Sequence, residues 1–431
     1  MIRIYETGTV KDEEIFARSN EQKDVAPAVT EIIEEVRKNG DTALKAFTEK
    51  FDHAKIENLE VSEKELENAV KEVDPALIAV LMEASENIAH YHEQQVRRDY
   101  TLTDREGIIL GQKILPLARV GIYVPGGTAA YPSTVLMDTI PARIAGVEEI
   151  IMVTPPDRNG NINPNILAAA YVAGVTKIFK IGGAQAVAAL AYGTESIPVV
   201  DKIVGPGNAY VTEAKKQVFG QVGIDMVAGP SEVLIIADGA SNPAFVAADL
   251  LSQAEHDRMA SAVLVTDSME LAEAVRDEIE QQLKTLEREE IARTSIDNNG
   301  KIIVVKDLKE AVETSNRIAP EHLELCLDNP FDWLSGIRNA GSVFLGRYNP
   351  EPLGDYFAGP NHTLPTMGTA RFYSPLSVDE FVKKMQFSYF TKDALKEDYP
   401  KVSLFARTEG LTAHARAVEI RFEGEEDDCS H

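Results

Sequence analysis

Histidine, glutamine and acidic side chains fall in four short stretches that could act together on a polar substrate. Gln253 precedes His256 by three positions in Leu-Leu-Ser-Gln-Ala-Glu-His-Asp, at the end of an apolar helical pattern. Residues so spaced are neighbours on a helix, so the amide oxygen and the imidazole can face one metal ion. The same spacing also fits a histidine resting on a helix C-terminal dipole. Glu321 and His322 adjoin in Ala-Pro-Glu-His-Leu, after a proline that is expected to restart a helix. An acid beside an imidazole suits proton transfer and water activation, and equally a capping carboxylate next to a half-buried histidine. The stretch from Leu353 to His362 is rich in glycine and proline yet carries Asp355 and His362, as either a rigid functional loop or an ordinary capped turn would. Glu409 and His414 share a C-terminal helical segment.

Together Gln253, His256, Asp355 and His414 make a nitrogen and oxygen donor set without sulfur, suited to Zn²⁺, Mn²⁺ or Co²⁺. Beside the Glu321-His322 dyad, such a set points to metal-assisted chemistry on a polar substrate. His53, His90, His92 and the terminal His431 read instead as solvated or packed side chains. Glycine supplies a second theme. Pro125-Gly126-Gly127, Gly182-Gly183-Ala184-Gln185 and Gly205-Pro206-Gly207-Asn208 each follow an apolar run and precede a helical one. In an open α/β sheet, turns at the carboxyl ends of strands are where phosphates and dinucleotides bind, although none of these is a G-x-G-x-x-G and each also fits a plain β–α turn.

The elements that must hold these residues can be read from periodicity. From Asp24 to about Tyr100 the pattern is helical, with Val29, Ile32, Ile33 and Val36 on one face, a stop at Asn39-Gly40, Asp41 as the next cap, and a third helix starting at Asp74-Pro75. From Arg119 short β-branched runs alternate with Ala-rich helical stretches: Val120–Val124, Ile150–Val153, Ile178–Ile181, Val233–Ile236, Ala262–Val265, Ile302–Val305 and Val343–Leu345. Runs that are apolar throughout, with helices between them, are what parallel sheets covered on both faces require. The fold class is therefore α/β, with enough strands for two sheet domains. From Val378 to Ile420 the chain reads as mostly helical, up to an acidic end at Glu423 to Asp428.

Composition narrows the classes. At 431 residues, with 44% hydrophobic and 26% charged, the chain is a folded globular protein and neither a disulfide mini-protein, a fibre nor a disordered chain. Lys and Arg number 43 against 69 Asp and Glu, a net charge of −26, which opposes nucleic acid and anionic membranes as partners but still permits a pyrophosphate held by local backbone amides. Two cysteines, Cys326 and Cys429, without a CxxC spacing, fit a reducing compartment. The N-terminus lacks a signal-peptide pattern and no stretch reaches the length of a membrane span, so the expected location is cytoplasmic.

Nine blocks, in order, carry a resemblance: 120–127 (Val-Gly-Ile-Tyr-Val-Pro-Gly-Gly), 182–186 (Gly-Gly-Ala-Gln-Ala), 204–208 (Val-Gly-Pro-Gly-Asn), 228–233 (Ala-Gly-Pro-Ser-Glu-Val), 252–257, 319–323, 341–346, 359–366 (Gly-Pro-Asn-His-Thr-Leu-Pro-Thr) and 409–414 (Glu-Gly-Leu-Thr-Ala-His). With these the chain resembles the histidinol dehydrogenase family from about residue 20 to about 422. The resemblance implies two incomplete, doubly wound Rossmann-like domains with helical N- and C-terminal extensions. The expected boundaries are an arm over 1–22, a discontinuous first domain of 23–116 and 236–375, a nucleotide-binding domain of 117–235, and a C-terminal segment of 376–431 swapped in a homodimer. It implies oxidation of L-histidinol to L-histidine through L-histidinal, with two hydride transfers to NAD and one Zn²⁺ per subunit.

By the same resemblance Gln253, His256, Asp355 and His414 hold Zn²⁺, His414 crossing the dimer, and the ion binds and orients the substrate's amino and imidazole nitrogens. His322 is then the base for the hydroxyl proton, and Glu321 activates water for the aldehyde hydrate. Tyr123, Gln185 and Asn208 contact NAD, while Ser231, His322 and Glu409 join the ligand residues around the substrate. Arg258 stands where proline is expected in many relatives, outside the ligand set, and His362 matches its block without an assigned role. Two other readings differ at nameable points. A dehydrogenase for a sulfonated diol would want Arg or Lys where Glu409 stands, and a zinc-stabilised assembly protein would want a closed site with cysteine ligands and no glycine turns.

Overall fold

The computed structural model describes residues 1–18, 24–126 and 131–423; Gly127, the end of the N-terminal arm, and the acidic tail with Cys429 and His431 lie outside them. In chain order the strands are β1 (Arg3–Glu6), β2 (Tyr100–Leu102), β3 (Ile108–Pro116), β4 (Arg119–Tyr123), β5 (Glu149–Val153), β6 (Lys177–Phe179), β7 (Lys202–Val204), β8 (Gly223–Ile224), β9 (Glu232–Ala237), β10 (Ser261–Thr266), β11 (Lys301–Val304), β12 (His322–Cys326), β13 (Ser342–Leu345) and β14 (Val382–Phe390). The chain divides into two compact units, Met1–Val96 with Leu117–Phe381, and Arg97–Pro116 with Val382–His431.

The first unit holds two parallel sheets, ordered β6-β5-β4-β7-β8 and β1-β11-β10-β9-β12-β13. Apart from β1 they are wound alike: two steps outward from a central strand, then a reversal to its other side. The reversal falls between β4 and β7 in one sheet and between β9 and β12 in the other, leaving a crevice at each switch point. Both sheets are buried on both faces, as the apolar runs require. In the five-stranded sheet Val120, Ile122, Ile150 and Met152 meet Leu81 and Ile88 of helix Pro75–Glu93 and the helix Pro132–Ala145. Ile151, Val153 and Phe179 pack on the other side against Val29, Ile33 and Leu44 of helix Ala26–Phe51. The helices of the N-terminal third are thus grouped by their buried contacts with the five-stranded sheet. In the six-stranded sheet Val233 and Ile235 face Val246 and Leu250, while Leu234 and Ile236 face Ala311 and Val312 of helix Leu308–Ile318 on the opposite side. Each fully buried Leu or Ile contributes about 1.5–3 kcal/mol.

Local expectations hold in detail and fail in detail. Gly40, at φ 49°, breaks Ala26–Phe51 at the expected stop. Asp41, however, spends its carboxylate on Ser196, and it is Glu195 that accepts the Asp41 N–H at 2.8 Å. Asp74 caps Ala76 N at 2.9 Å with Pro75 in the first turn, as expected. The helix expected to restart at Pro320 is instead β12: Ala319, at φ 53°, ends helix Leu308–Ile318, and the five residues from His322 fill the gap between β9 and β13. The loop expected from Leu353 begins within a short helix, Glu351–Tyr356.

The second unit is an antiparallel sheet, β14-β3-β2, followed by helices Lys392–Thr408 and Thr412–Glu419. Its strand β14 corrects the helical reading of 378–420: Val382 to Phe390 runs antiparallel to β3 from Val382↔Pro116 to Phe390↔Ile108. Met385, Phe387 and Tyr389 are exposed.

The switch point of the five-stranded sheet is tight. Gly205, at φ 112°, passes so close to the Tyr123 carbonyl that a Cβ would overlap it, with Asp138 Oδ2 at 3.0 Å on another side. Gly205→Ala should therefore cost on the order of 2–4 kcal/mol, positive φ and overpacking combined, seen as a lower urea midpoint at unchanged slope. An unchanged midpoint would mean that the turn relaxes freely.

Candidate active site

The acid–base pair sits where β9 and β12 begin. At the amino end of a parallel pair some peptide groups have no strand partner, and buried ones must find another. Here the Glu232 N–H donates to Glu321 Oε2 at 2.8 Å, and the Glu232 carbonyl lies 3.0 Å from His322 Nδ1. A carbonyl only accepts, so Nδ1 carries the proton and Nε2 is the atom left for chemistry. Nε2 is buried and makes no hydrogen bond, and it lies 3.5 Å from Asp355 Oδ1.

Asp355 arrives from the short helix Glu351–Tyr356, which lies against Phe344 because residue 354 is glycine; a Cβ there would stand 2.5 Å from the Phe344 ring. His362 steadies the same helix, with Nδ1 at 3.1 Å from the Asp355 carbonyl and Nε2 at 3.2 Å from Thr134 Oγ1. Gln253 closes helix Pro243–Ala254, and His256 lies just beyond, its N–H donating to the Gln253 carbonyl at 3.2 Å. His256, Asp355 and Glu351 each present a ligand atom within 4.8 Å of the others. Gln253 is fully buried, and neither amide atom has a hydrogen-bond partner. An orphaned buried amide costs about 1–3 kcal/mol, so beside such a donor cluster it fits a cation that its oxygen would bind. Glu351, which the sequence reading did not single out, is 1% exposed and accepts from Ser252 Oγ at 3.0 Å.

The electrostatics follow from this crowding. Burial pushes Glu321 up to about 8, against the pull of His322. Burial opposes charge on His322, but the Glu321, Asp355 and Glu351 carboxylates outweigh it and raise the imidazole to about 10. Burial likewise works against ionised Asp355, yet His322, His362 and His256 together hold its carboxyl well below the usual range. Burial lowers both His256 and His362.

Of the other expected residues, Tyr123 and the 182–185 turn meet at the switch point of the five-stranded sheet, where Gly183 N–H donates to Tyr123 Oη at 3.0 Å. Gln185 is buried in helix Gly183–Tyr192. Asn208 caps helix Ala209–Val218, its side-chain oxygen accepting from Tyr210 N at 3.0 Å and Val211 N at 3.2 Å. Ser231 is half-buried just before β9, its carbonyl taken by Ser261 N–H at 3.0 Å. Glu409 and His414 belong to the second unit, at the end of helix Lys392–Thr408 and in helix Thr412–Glu419, and both are exposed.

A family model described as histidinol dehydrogenase matches residues 16–422. The histidinol dehydrogenase of Clostridium acetobutylicum is 52% identical over 427 residues, 98% of this chain and 99% of that protein. One from Bacillus cereus is 58% identical over 398 residues, 92% of each. The crystal structure of histidinol dehydrogenase from Elizabethkingia anophelis superposes with a TM-score of 0.94 at 40% identity, covering 99% of both chains. If the donors around Gln253 hold a cation, Gln253→Ala and His256→Ala should each weaken divalent-metal retention by about tenfold or more, measured by elemental analysis after dialysis. Full occupancy in both variants would sink that assignment.

Proposed function

The chain belongs to the histidinol dehydrogenase family, and on that premise we propose that it oxidises L-histidinol to L-histidine through L-histidinal, using NAD and a resident Zn²⁺. One feature of the site supports this above all. A base with its tautomer fixed, His322, lies beside Asp355 of the His256, Glu351 and Asp355 donor group, and Gln253, three residues before His256, has a buried amide without a hydrogen-bond partner.

Gln253, His256 and Asp355 would hold the metal, with His414 from the second subunit of a homodimer; Tyr123, Gln185 and Asn208 would contact NAD at the switch point. When bound, the cation orients the substrate's nitrogens and offsets the carboxylates that keep His322 protonated, and NAD accepts hydride. The work of the chain's own groups is proton handling. His322 Nε2 takes the hydroxyl proton in the first oxidation, and its proton-bearing Nδ1 stays on the Glu232 carbonyl throughout. Glu321, a stronger base because burial raises its carboxyl, takes a proton in its ionised form from the water that hydrates the aldehyde. Glu409 and Ser231 would meet the substrate's polar groups, an acid being the right partner for a cationic amine or imidazole. The exposed Glu409 and His414, on a unit whose strand β14 also exposes Met385, Phe387 and Tyr389, suit a segment that completes the site of another copy. Among the described residues no helix is long and apolar enough to cross a membrane, and Cys326 is a free, buried thiol, as a cytoplasmic enzyme allows.

The test is NADH formed per L-histidinol consumed to completion, before and after chelation and after zinc is restored. Two NADH per substrate, abolished by the chelator and recovered with zinc, is the expected result; no NADH from fully metallated protein would overturn the proposal. His322→Asn should lower kcat by ~10²–10⁴, and turnover at the unmodified level would remove His322 from the proton transfer.

A further inference from the structure

Both members of the dyad hang on the peptide groups of one residue, Glu232, so whatever fixes Glu232 fixes them. Its side chain is 7% exposed, and its carboxylate accepts from the Met367 N–H and lies 3.3 Å from the Arg18 guanidinium. Arg18 also donates to the Ile318 carbonyl at 2.7 Å, and a Cβ on Gly368 would stand 2.6 Å from its Nη1, so its seat is shaped on two sides. A cavity of about 260 Å³ adjoins the pair. Four of its lining side chains, Arg18, Lys301, Arg317 and Arg371, are cationic, and Glu232 is the acid they surround among the described residues.

The segment bearing Arg18 is itself anchored. β1 is an edge strand of the six-stranded sheet, paired in register with β11 from Arg3↔Lys301 to Glu6↔Val304. Lys301 Nζ donates to the Ile15 carbonyl at 2.8 Å and the Ala17 carbonyl at 2.5 Å. The Arg317 guanidinium lies over the Phe16 ring, 3.8 Å from its centre, and pairs with Asp12 at 2.7 Å.

We propose that Arg18 is a positioning residue for the Glu321-His322 dyad, acting through the Glu232 carboxylate and so making the N-terminal arm part of the catalytic apparatus. This rests on the function proposed above. Arg18 touches neither substrate nor cofactor in this scheme. Its guanidinium keeps the buried Glu232 carboxylate in place, and with it the N–H that orients Glu321 and the C=O that fixes the His322 tautomer. Loss of such an outer partner typically costs 10–100-fold in activity, because small displacements of reacting groups are expensive.

The experiment uses full-length, zinc-loaded enzyme with Arg18→Met, Arg18→Lys, Glu232→Gln and the double variant Arg18→Met/Glu232→Gln. Arg18→Met and Glu232→Gln should each lower kcat by about 10–100-fold, for histidinol and for histidinal alike. KM for histidinol and zinc content should stay within about twofold, the double variant should be no worse than either single one, and Arg18→Lys should recover most of the loss. A second readout needs no turnover: the downfield Nδ1–H proton resonance of His322, assigned by its absence in His322→Asn, should be present in the unmodified protein and lost or broadened in Arg18→Met. Should Arg18→Met fail to fold, Glu232→Gln gives the same readings. Unmodified kcat in either single variant, a loss carried by KM or by zinc content, no recovery with Lys, or an unmoved His322 resonance would overturn the proposal. If the unmodified protein makes no NADH from histidinol, the proposed function fails on that result, and the resonance alone then decides the role of Arg18.

Discussion

The parallel pairing of β9 with β12 is the constraint on which the chemistry depends. It sets His322 opposite Val233 at the first step of the ladder, beside the peptide of Glu232, whose N–H donates to the Glu321 carboxylate and whose carbonyl lies next to His322 Nδ1. Buried peptide groups in that position must be satisfied. The Glu321 and His322 side chains both meet the Glu232 peptide, which fixes the orientation of both and the tautomer of one. Two side chains so held need no loop of their own to position them, and they inherit the rigidity of a six-stranded sheet.

The two sheets share one winding order and use it at opposite ends. In the five-stranded sheet Tyr123 and the turn from Gly205 to Asn208 lie at the carboxyl ends of β4 and β7, where open sheets take dinucleotides. In the six-stranded sheet the dyad lies at the amino ends of β9 and β12. The crevice at their carboxyl ends is crossed by Arg347, which donates to Asp238 at 2.9 Å, to Asp328 at 2.7 Å and to the Cys326 carbonyl at 2.9 Å. A guanidinium so engaged occupies the crevice at that switch point.

Much of this was legible in the residues, for physical reasons. The seven apolar runs became strands because a strand buried on both faces has no choice but to be apolar throughout. Asp74-Pro75 and Gly40 acted locally, through a cap and a positive φ, and local signals survive in any context. What failed was non-local. His322–Cys326 is too short to separate strand from helix by pattern, and only the gap between β9 and β13 decides it. Lys383 to Phe390 does alternate, but its partner β3 lies some 270 residues earlier, and both flanks looked helical. At the site, Gln253, His256, Asp355 and the dyad stood out as residue types. Glu351, Glu232 and Arg18 did not, because an acid or an arginine on an ordinary helix, strand or arm gains meaning only from what it faces.

The pairing of β1 with β11 has a consequence for the order in which the protein is made. Strand β1 finds its partner only after residue 304 has been made, roughly three hundred residues later. Contacts of such sequence separation form late, since chain closure must precede any gain from them. Until then the arm is an unpaired edge strand with an arginine at its end. The contact between Arg18 at the end of that arm and the Glu232 carboxylate therefore forms late, after β11 has been made.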